Sequence, residues 1–161
     1  MIQHPVLKYY DIGKEDTLQC DTSEQGLGAT RMQKEQLVAF ASRMLCTTEQ
    51  RNAQIEKECL AIVFGCEKFS QYISRRDKVT VESDHKPLQS IFKRSLLHAL
   101  MRLQRMMLQL QRYNLDVVYK PGSQMFVADY LSRAVLSETE ANDEDVHIFA
   151  LELETMDPLS S

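Results

Sequence analysis

Leu18 and Cys20 alternate with polar neighbours at the start of "TLQCDTSEQGLGATRMQ", the two-residue period of a strand with one buried face. Gly26 and Gly28 then mark a turn into a second extended run, and "QLVAFASRML" supplies a third. Three short runs with short connections predict an antiparallel meander. The period then changes. In "QRNAQIEKECLAIVFGCEKFSQYI" the residues Ile55, Cys59, Ile62, Cys66, Phe69 and Ile73 recur at alternating steps of four and three, which predicts one long amphipathic helix. "KVTVESD" reads as a fourth strand, and the crossover helix before it predicts a parallel pairing with an earlier strand. "ALMRLQRMMLQLQRY" predicts another helix, with Leu100, Leu103, Met107 and Leu110 on one face. "LDVVYK" is a fifth strand, Pro121-Gly122 a turn and "FVADYLSRAV" a last helix. The order β-β-β-α-β-α-β-α defines an α/β fold.

Composition bounds this picture. A chain of 161 residues that is 43% hydrophobic buries one sizeable core and leaves little for a second domain. No run approaches the apolar length of a membrane span, and "MIQHPVLKYYDIGKED" lacks the order of a signal peptide, so a soluble, intracellular protein is expected, cytoplasmic or nuclear. Cys20, Cys46, Cys59 and Cys66 show no C-x-x-C spacing and read as buried free thiols in reducing surroundings.

Charge divides the chain. All 19 Lys and Arg fall at or before Arg133, against 15 acids there, which leaves that body at +4. The other 8 acids lie between Glu138 and Asp157 with no basic residue among them. A mildly basic body suits a phosphate backbone, and an acidic tail is ordinarily solvated. The change of sign places an acidic tail at 137–161, after one domain that reaches to about 136, and in that tail "VHIFALEL" is open to a short strand or helix.

Four acids carry the candidate chemistry. Asp21 closes the first strand and Asp84 the fourth, so parallel pairing of those strands would bring both carboxylates to one sheet edge, where open α/β sheets bind ligands. On the long helix, at about 100° per residue, Glu58 lies roughly 60° from the centre of the apolar stripe and Glu56 roughly 100°. Glu58 is therefore the one expected to approach the sheet, and Glu56 is expected to be solvated. Asp129 falls near the start of the last helix. Each acid alone also suits a turn, a cap or a solvated helix face. Together they repel one another and call for cations; oxygen ligands suit Mg²⁺ or Mn²⁺, and two such ions about 3.5–4 Å apart clamp a reacting phosphodiester.

In this order, "CDTSEQGLGA", "QLVAFASR", "QIEKECLAIVFGCEKFSQYI", "VTVESDHKPLQSIF", "RLQRMMLQLQRYNLDVVYKPG" and "VADYLSR" closely resemble the RNase H domain of gypsy-type LTR-retrotransposon reverse transcriptases, from about Pro5 to Arg133. The resemblance implies an RNase H-like fold, a five-stranded mixed sheet flanked by helices. It implies two-metal hydrolysis of the RNA strand of RNA·DNA hybrids by Asp21, Glu58, Asp84 and Asp129, with two Mg²⁺ or Mn²⁺ ions as cofactors. It also implies that residues 1–16 are a linker resembling the connection to a polymerase, with the RNase H-like domain at 17–136. No palm with paired aspartates follows from this sequence, so a polymerase domain on another chain is an expected partner, alongside the hybrid itself.

Around the quartet, Thr22 and Ser23 either reach the substrate backbone or cap a turn. Tyr119, ten residues before Asp129, occupies roughly the place where cellular enzymes of this fold carry a histidine, and packing is its other reading. His85 suits a structural hydrogen bond better than metal or base chemistry. Lys86, Lys93, Arg94, Arg102, Arg105 and Arg112 either follow phosphates or solvate a helix. The rival from another class is a catalytically idle remnant of the fold that binds nucleic acid or protein. A DNA nuclease or integrase on the same sheet would carry a different acidic triad.

Overall fold

The computed structural model describes residues 15–92 and 101–125 and the backbone of 146–150. Three strands open it, β1 (Asp16–Thr22), β2 (Gly26–Gln33) and β3 (Gln36–Met44), and they form the expected antiparallel meander. Lys34 and Glu35 join β2 to β3 with φ of 50° and 62°, as a two-residue hairpin requires if its twist is to match the flanking strands. At the other turn Ser23 donates its N–H to the Gly26 carbonyl at 2.9 Å, and its hydroxyl accepts the Gly26 N–H at 3.1 Å. Ser23 thus closes this turn through both its N–H and its hydroxyl.

The helical stretch is divided. A single turn, α1 (Thr47–Gln50), precedes α2 (Gln54–Lys68), and α3 (Ser70–Ile73) follows it. The expected unbroken helix over 50–73 gives way at two points. Ala53 is extended, with ψ of 153°, and Phe69 leaves helical geometry at φ −107°, ψ 19°. Phe69 and Ile73 nevertheless stay buried, because the bend carries them with the core rather than away from it. Against the sheet α2 packs closely at Gly65, where a Cβ would lie 2.9 Å from the Ala29 Cβ and 3.2 Å from the Cys20 Sγ. Any larger residue there would push the helix off β1 and β2.

Strand β4 (Val79–Ser83) runs parallel to β1, and β5 (Leu115–Tyr119) parallel to β4. Between them lie α4 (Lys86–Phe92) and α5 (Met101–Leu110). Helix α4 was not expected. It buries Leu88 and packs Ile91 and Phe92 against the core at helical spacing, but at seven residues it is too short for that period to stand out in the sequence. On α5 Leu103, Met107 and Leu110 are buried as predicted, with Met106 beside them, and Leu100 lies outside the described residues. Pro121 leads into one 3₁₀ turn, Gly122–Gln124. The last predicted helix, "FVADYLSRAV", also lies outside the described residues.

The five expected strands form the mixed sheet in the order β5-β4-β1-β2-β3. A sixth, β6 (Val146–Ala150), comes from the acidic tail and pairs antiparallel with β3 from Ala39↔Ala150 to Arg43↔Val146. Of the two forms open to the tail segment, strand is the one adopted. One core fills the space between the sheet and the helices, built on Leu18, Leu27, Ile62, Val81, Leu88 and Leu103. Cys20, Cys59 and Cys66 are buried in it as free thiols, and Cys46 is half-buried and free.

Candidate active site

Parallel register makes the site. Gln19 pairs with Glu82 across β1 and β4, so two residues further on Asp21 and Asp84 leave their strands level with each other at one edge of the sheet. Glu58, one turn into α2, completes the group. One carboxylate oxygen from each of Asp21, Glu58 and Asp84 lies within 4.8 Å of the other two. Asp21 and Glu58 are buried and Asp84 is half-buried. Among the described residues, no Lys, Arg or His forms an ion pair with any of the three.

The electrostatic result is a strained proton balance. Burial, then the charge of Asp84, pushes the Asp21 carboxyl up to about 7, against the Thr22 N–H that donates to its Oδ1 at 2.9 Å. Burial, then the charge of Asp21, pushes Glu58 up to about 8. Two donors resist this at Glu58 Oε2: the Gln54 amide at 2.9 Å and the Thr22 hydroxyl at 3.3 Å. Gln54 Nε2 also donates to Thr22 Oγ1 at 3.1 Å, closing a triangle that fixes the carboxylate plane. The other oxygen, Oε1, is buried and has no hydrogen-bond partner among the described residues. A buried carboxylate oxygen without a donor, beside two further carboxylates, fits a hard divalent cation, which takes oxygen ligands and offsets their repulsion.

The remaining predicted residues separate into groups. Asp129 lies outside the described residues, as do Lys93 and Arg94. Thr22 orients Glu58, as above. His85 donates its backbone N–H to Ser83 Oγ at 3.1 Å, and its carbonyl accepts from Leu88 at 3.0 Å at the start of α4. Tyr119 pairs with Ser83, the residue before Asp84, and is 40% exposed. The Lys86 ammonium sits 5.7 Å from the Tyr119 ring centroid, so these two exposed side chains stand together.

Of the basic residues, Arg102 is engaged elsewhere. It contacts Glu56 Oε1 at 3.0 Å and Asn52 Oδ1 at 2.9 Å. Glu56 is therefore buried rather than solvated, because it also accepts the Ala53 N–H at 3.1 Å and so satisfies the first turn of α2 while pairing with Arg102. Arg105 contacts Met101 Sδ at 3.7 Å, and Arg112 lies 5.4 Å from the Tyr113 ring. Three residues of the site have no counterpart among the sequence-derived candidates: Gln54, Gln89, which accepts the Tyr119 N–H at 3.2 Å, and Gly122, which abuts Asp84. The four-residue helical spacing of Gln54 and Glu58 was the available signal for the first.

Residues 11–113 match the family described as an RNase H-like domain found in reverse transcriptase. The chain belongs to this family. It is 32% identical over 146 residues to the Pol polyprotein of transposon gypsy from Drosophila melanogaster, a match covering 88% of this chain and 14% of the polyprotein. The chain thus spans about a seventh of that relative, at 14% of its length. Two solved structures share the fold. RNase H1 from the halophilic archaeon Halobacterium salinarum superposes with a TM-score of 0.59 at 13% identity, covering 77% of this chain and 98% of that one. The foamy viral protease-reverse transcriptase, solved in complex with an RNA/DNA hybrid, gives 0.57 at 18% identity over 70% of this chain and 16% of that one. Family membership and these neighbours make the RNase H-like α/β fold a plain finding. No described helix is long and apolar enough to cross a membrane.

Proposed function

We propose that this RNase H-like domain hydrolyses the RNA strand of RNA·DNA hybrids at Asp21, Glu58 and Asp84, with Asp129 as the fourth acid and two Mg²⁺ or Mn²⁺ ions. The observation that carries the reading is the uncompensated carboxylate triad, in which one buried oxygen of Glu58 has no donor among the described residues. Divalent cations bound there would supply Lewis acidity at a phosphodiester and lower the pKa of a bound water. The chain's own contribution is position and field. Asp21 and Asp84 are set level by strand register, and Glu58 is held at Oε2 by Gln54 and Thr22, which leaves its buried Oε1 without a donor among the described residues. Lys86 and Tyr119, exposed and in contact with each other, are the residues we assign to the hybrid backbone; Ser23 and His85 follow the strands that carry Asp21 and Asp84, their hydrogen bonds serving local turns. Support for the substrate class comes from the foamy viral enzyme, whose structure holds an RNA/DNA hybrid. A reverse transcriptase polymerase domain is the partner we propose for added grip on the hybrid, in line with the family that the chain matches.

The test is Mg²⁺- or Mn²⁺-dependent cleavage of labelled RNA in a hybrid, with RNA·RNA and DNA·DNA duplexes alongside. Asp84→Asn removes a ligand charge at constant size and should lower the rate by about 1000-fold or more, a barrier change of about 4 kcal/mol, without loss of the fold. Unfolding on that substitution would overturn the assignment. A folded wild-type chain that binds cation and hybrid yet never cleaves, even with the polymerase domain added, would favour the binding-module reading.

A further inference from the structure

We propose that Gly122 is a positioning residue for Asp84, kept without a side chain so that the carboxylate can hold its place in the cation site. The inference rests on the metal reading given above. Gly122 begins the 3₁₀ turn after β5, and a Cβ built on it would lie 2.9 Å from Asp84 Oδ2 and 3.7 Å from both Cβ and Cγ of Asp84. Among the described residues, the three heavy atoms nearest to such an atom all belong to Asp84. Backbone freedom is not the reason for the glycine, because none of the described glycines has positive φ.

The loop also has little room to retreat. On one side the Lys120 N–H donates to the Ser83 carbonyl at 2.9 Å, tying the loop to the residue before Asp84. On the other, the Met125 N–H donates to the Gly122 carbonyl at 3.1 Å, and the Met125 side chain is buried. With both flanks anchored, the crowding from an added methyl falls on the softest element present, which is the terminal torsion of Asp84. That torsion turns at little energetic expense, so the fold survives. Its carboxylate is also the ligand, so the geometry offered to a cation does not. The effect belongs with that of residues that orient metal ligands, whose loss typically weakens affinity about 10–100-fold.

The experiment compares wild type with Gly122→Ala in the full chain, by Mn²⁺ titration calorimetry and by the metal-induced rise in melting temperature, and only then by hydrolysis of the hybrid. Mn²⁺ affinity should fall by about tenfold, the low end of that range, and the metal-induced rise in melting temperature should shrink. Metal-free Gly122→Ala should melt at or slightly above the wild-type temperature, since alanine restricts the unfolded chain. In cleavage, more Mg²⁺ should be needed for half-maximal rate while KM for the hybrid stays the same. Equal Mn²⁺ affinity in the two proteins would overturn the role of Gly122 and leave the metal site standing. Absence of Mn²⁺ binding by wild type would overturn both together. If Gly122→Ala fails to fold, the Asp84→Ala/Gly122→Ala double variant should regain the fold because the clashing atom is gone; continued unfolding would show that the crowding is not with Asp84 and would overturn the inference.

Discussion

The two ends of β1 each carry a buried aspartate, and they solve the same electrostatic problem in opposite ways. At the start, Asp16 is 1% exposed and meets Arg31 Nη2 at 3.1 Å, Arg76 Nε at 2.8 Å and the Gln33 amide at 3.0 Å. Arg31 is itself buried and stacks on the Tyr72 ring at 4.3 Å. At the end, Asp21 is 8% exposed and meets Glu58, Asp84 and a single backbone donor. A carboxylate is costly to bury unless its charge is answered. The chain answers it internally at Asp16; at Asp21 it leaves the answer to come from outside. The same residue type is structural at one end of a strand and a candidate ligand five positions later.

Identical substitutions should therefore act with opposite sign. Asp16→Asn removes the anion between two buried guanidinium groups, and breaking a buried pair from one side costs about 3–5 kcal/mol. In urea unfolding of the metal-free protein, that variant should show a large loss of stability, with the midpoint moving and the slope unchanged. Asp21→Asn removes one of three mutually repelling charges, and the metal-free protein should be as stable as wild type or more so. Similar losses from both substitutions would end the distinction between the two ends.

Much of this was legible in the chain before folding. Asp21 and Asp84 each close a run of strand period, so one assumption of parallel pairing brought them to the same edge, and that pairing is the observed one. Glu58 followed from its angle to the apolar stripe of α2. What could not be read depends on partners far along the chain. Glu56 looked solvated by angle alone because Arg102, which draws it in, lies 46 residues away. Asp16 fell at the expected linker boundary, and only folding brings Arg31 and Arg76 to it. Helix α4 escaped because its apolar positions, Leu88, Ile91 and Phe92, span little more than one turn, and the tail segment stayed open between strand and helix because only the edge of β3 decides it.

The proton balance gives the next, smaller effect. Asp21 and Glu58 are raised from 3.8 and 4.5 to about 7 and about 8, so between roughly pH 4 and pH 8 the metal-free folded state holds more protons than the unfolded chain. Stability from these groups is then greatest at low pH, where both states are protonated, and falls as pH rises through the folded values. A bound cation reverses the sign, since it holds the carboxylates ionised in the folded state and releases their protons on binding. The gap in melting temperature between Mg²⁺-loaded and chelator-treated protein should widen from pH 5.5 to pH 8. The Asp16 end, already answered by arginine, should contribute nothing to that widening. A gap constant across the range would mean that the triad is not where the cation binds.

The smallest effect probes how the unanswered end keeps its geometry. Gln54 is exposed, yet its amide is the closer of the two side-chain donors to Glu58 Oε2 and also reaches Thr22 Oγ1. Gln54→Ala leaves every ligand in place and removes only this orientation. Solvent can replace a hydrogen bond at an exposed site, so the loss of Mn²⁺ affinity should sit near the low end of what outer partners contribute, about tenfold. Metal-free stability should change by less than about 1 kcal/mol. Glu58 should also hold its proton more tightly once the donor is gone, which makes the affinity loss greater at pH 6 than at pH 8. If calorimetry finds Mn²⁺ affinity unaltered at both pH values, then Thr22 and the packing of α2 on the sheet suffice to aim Glu58, and the exposed amide is incidental to the site.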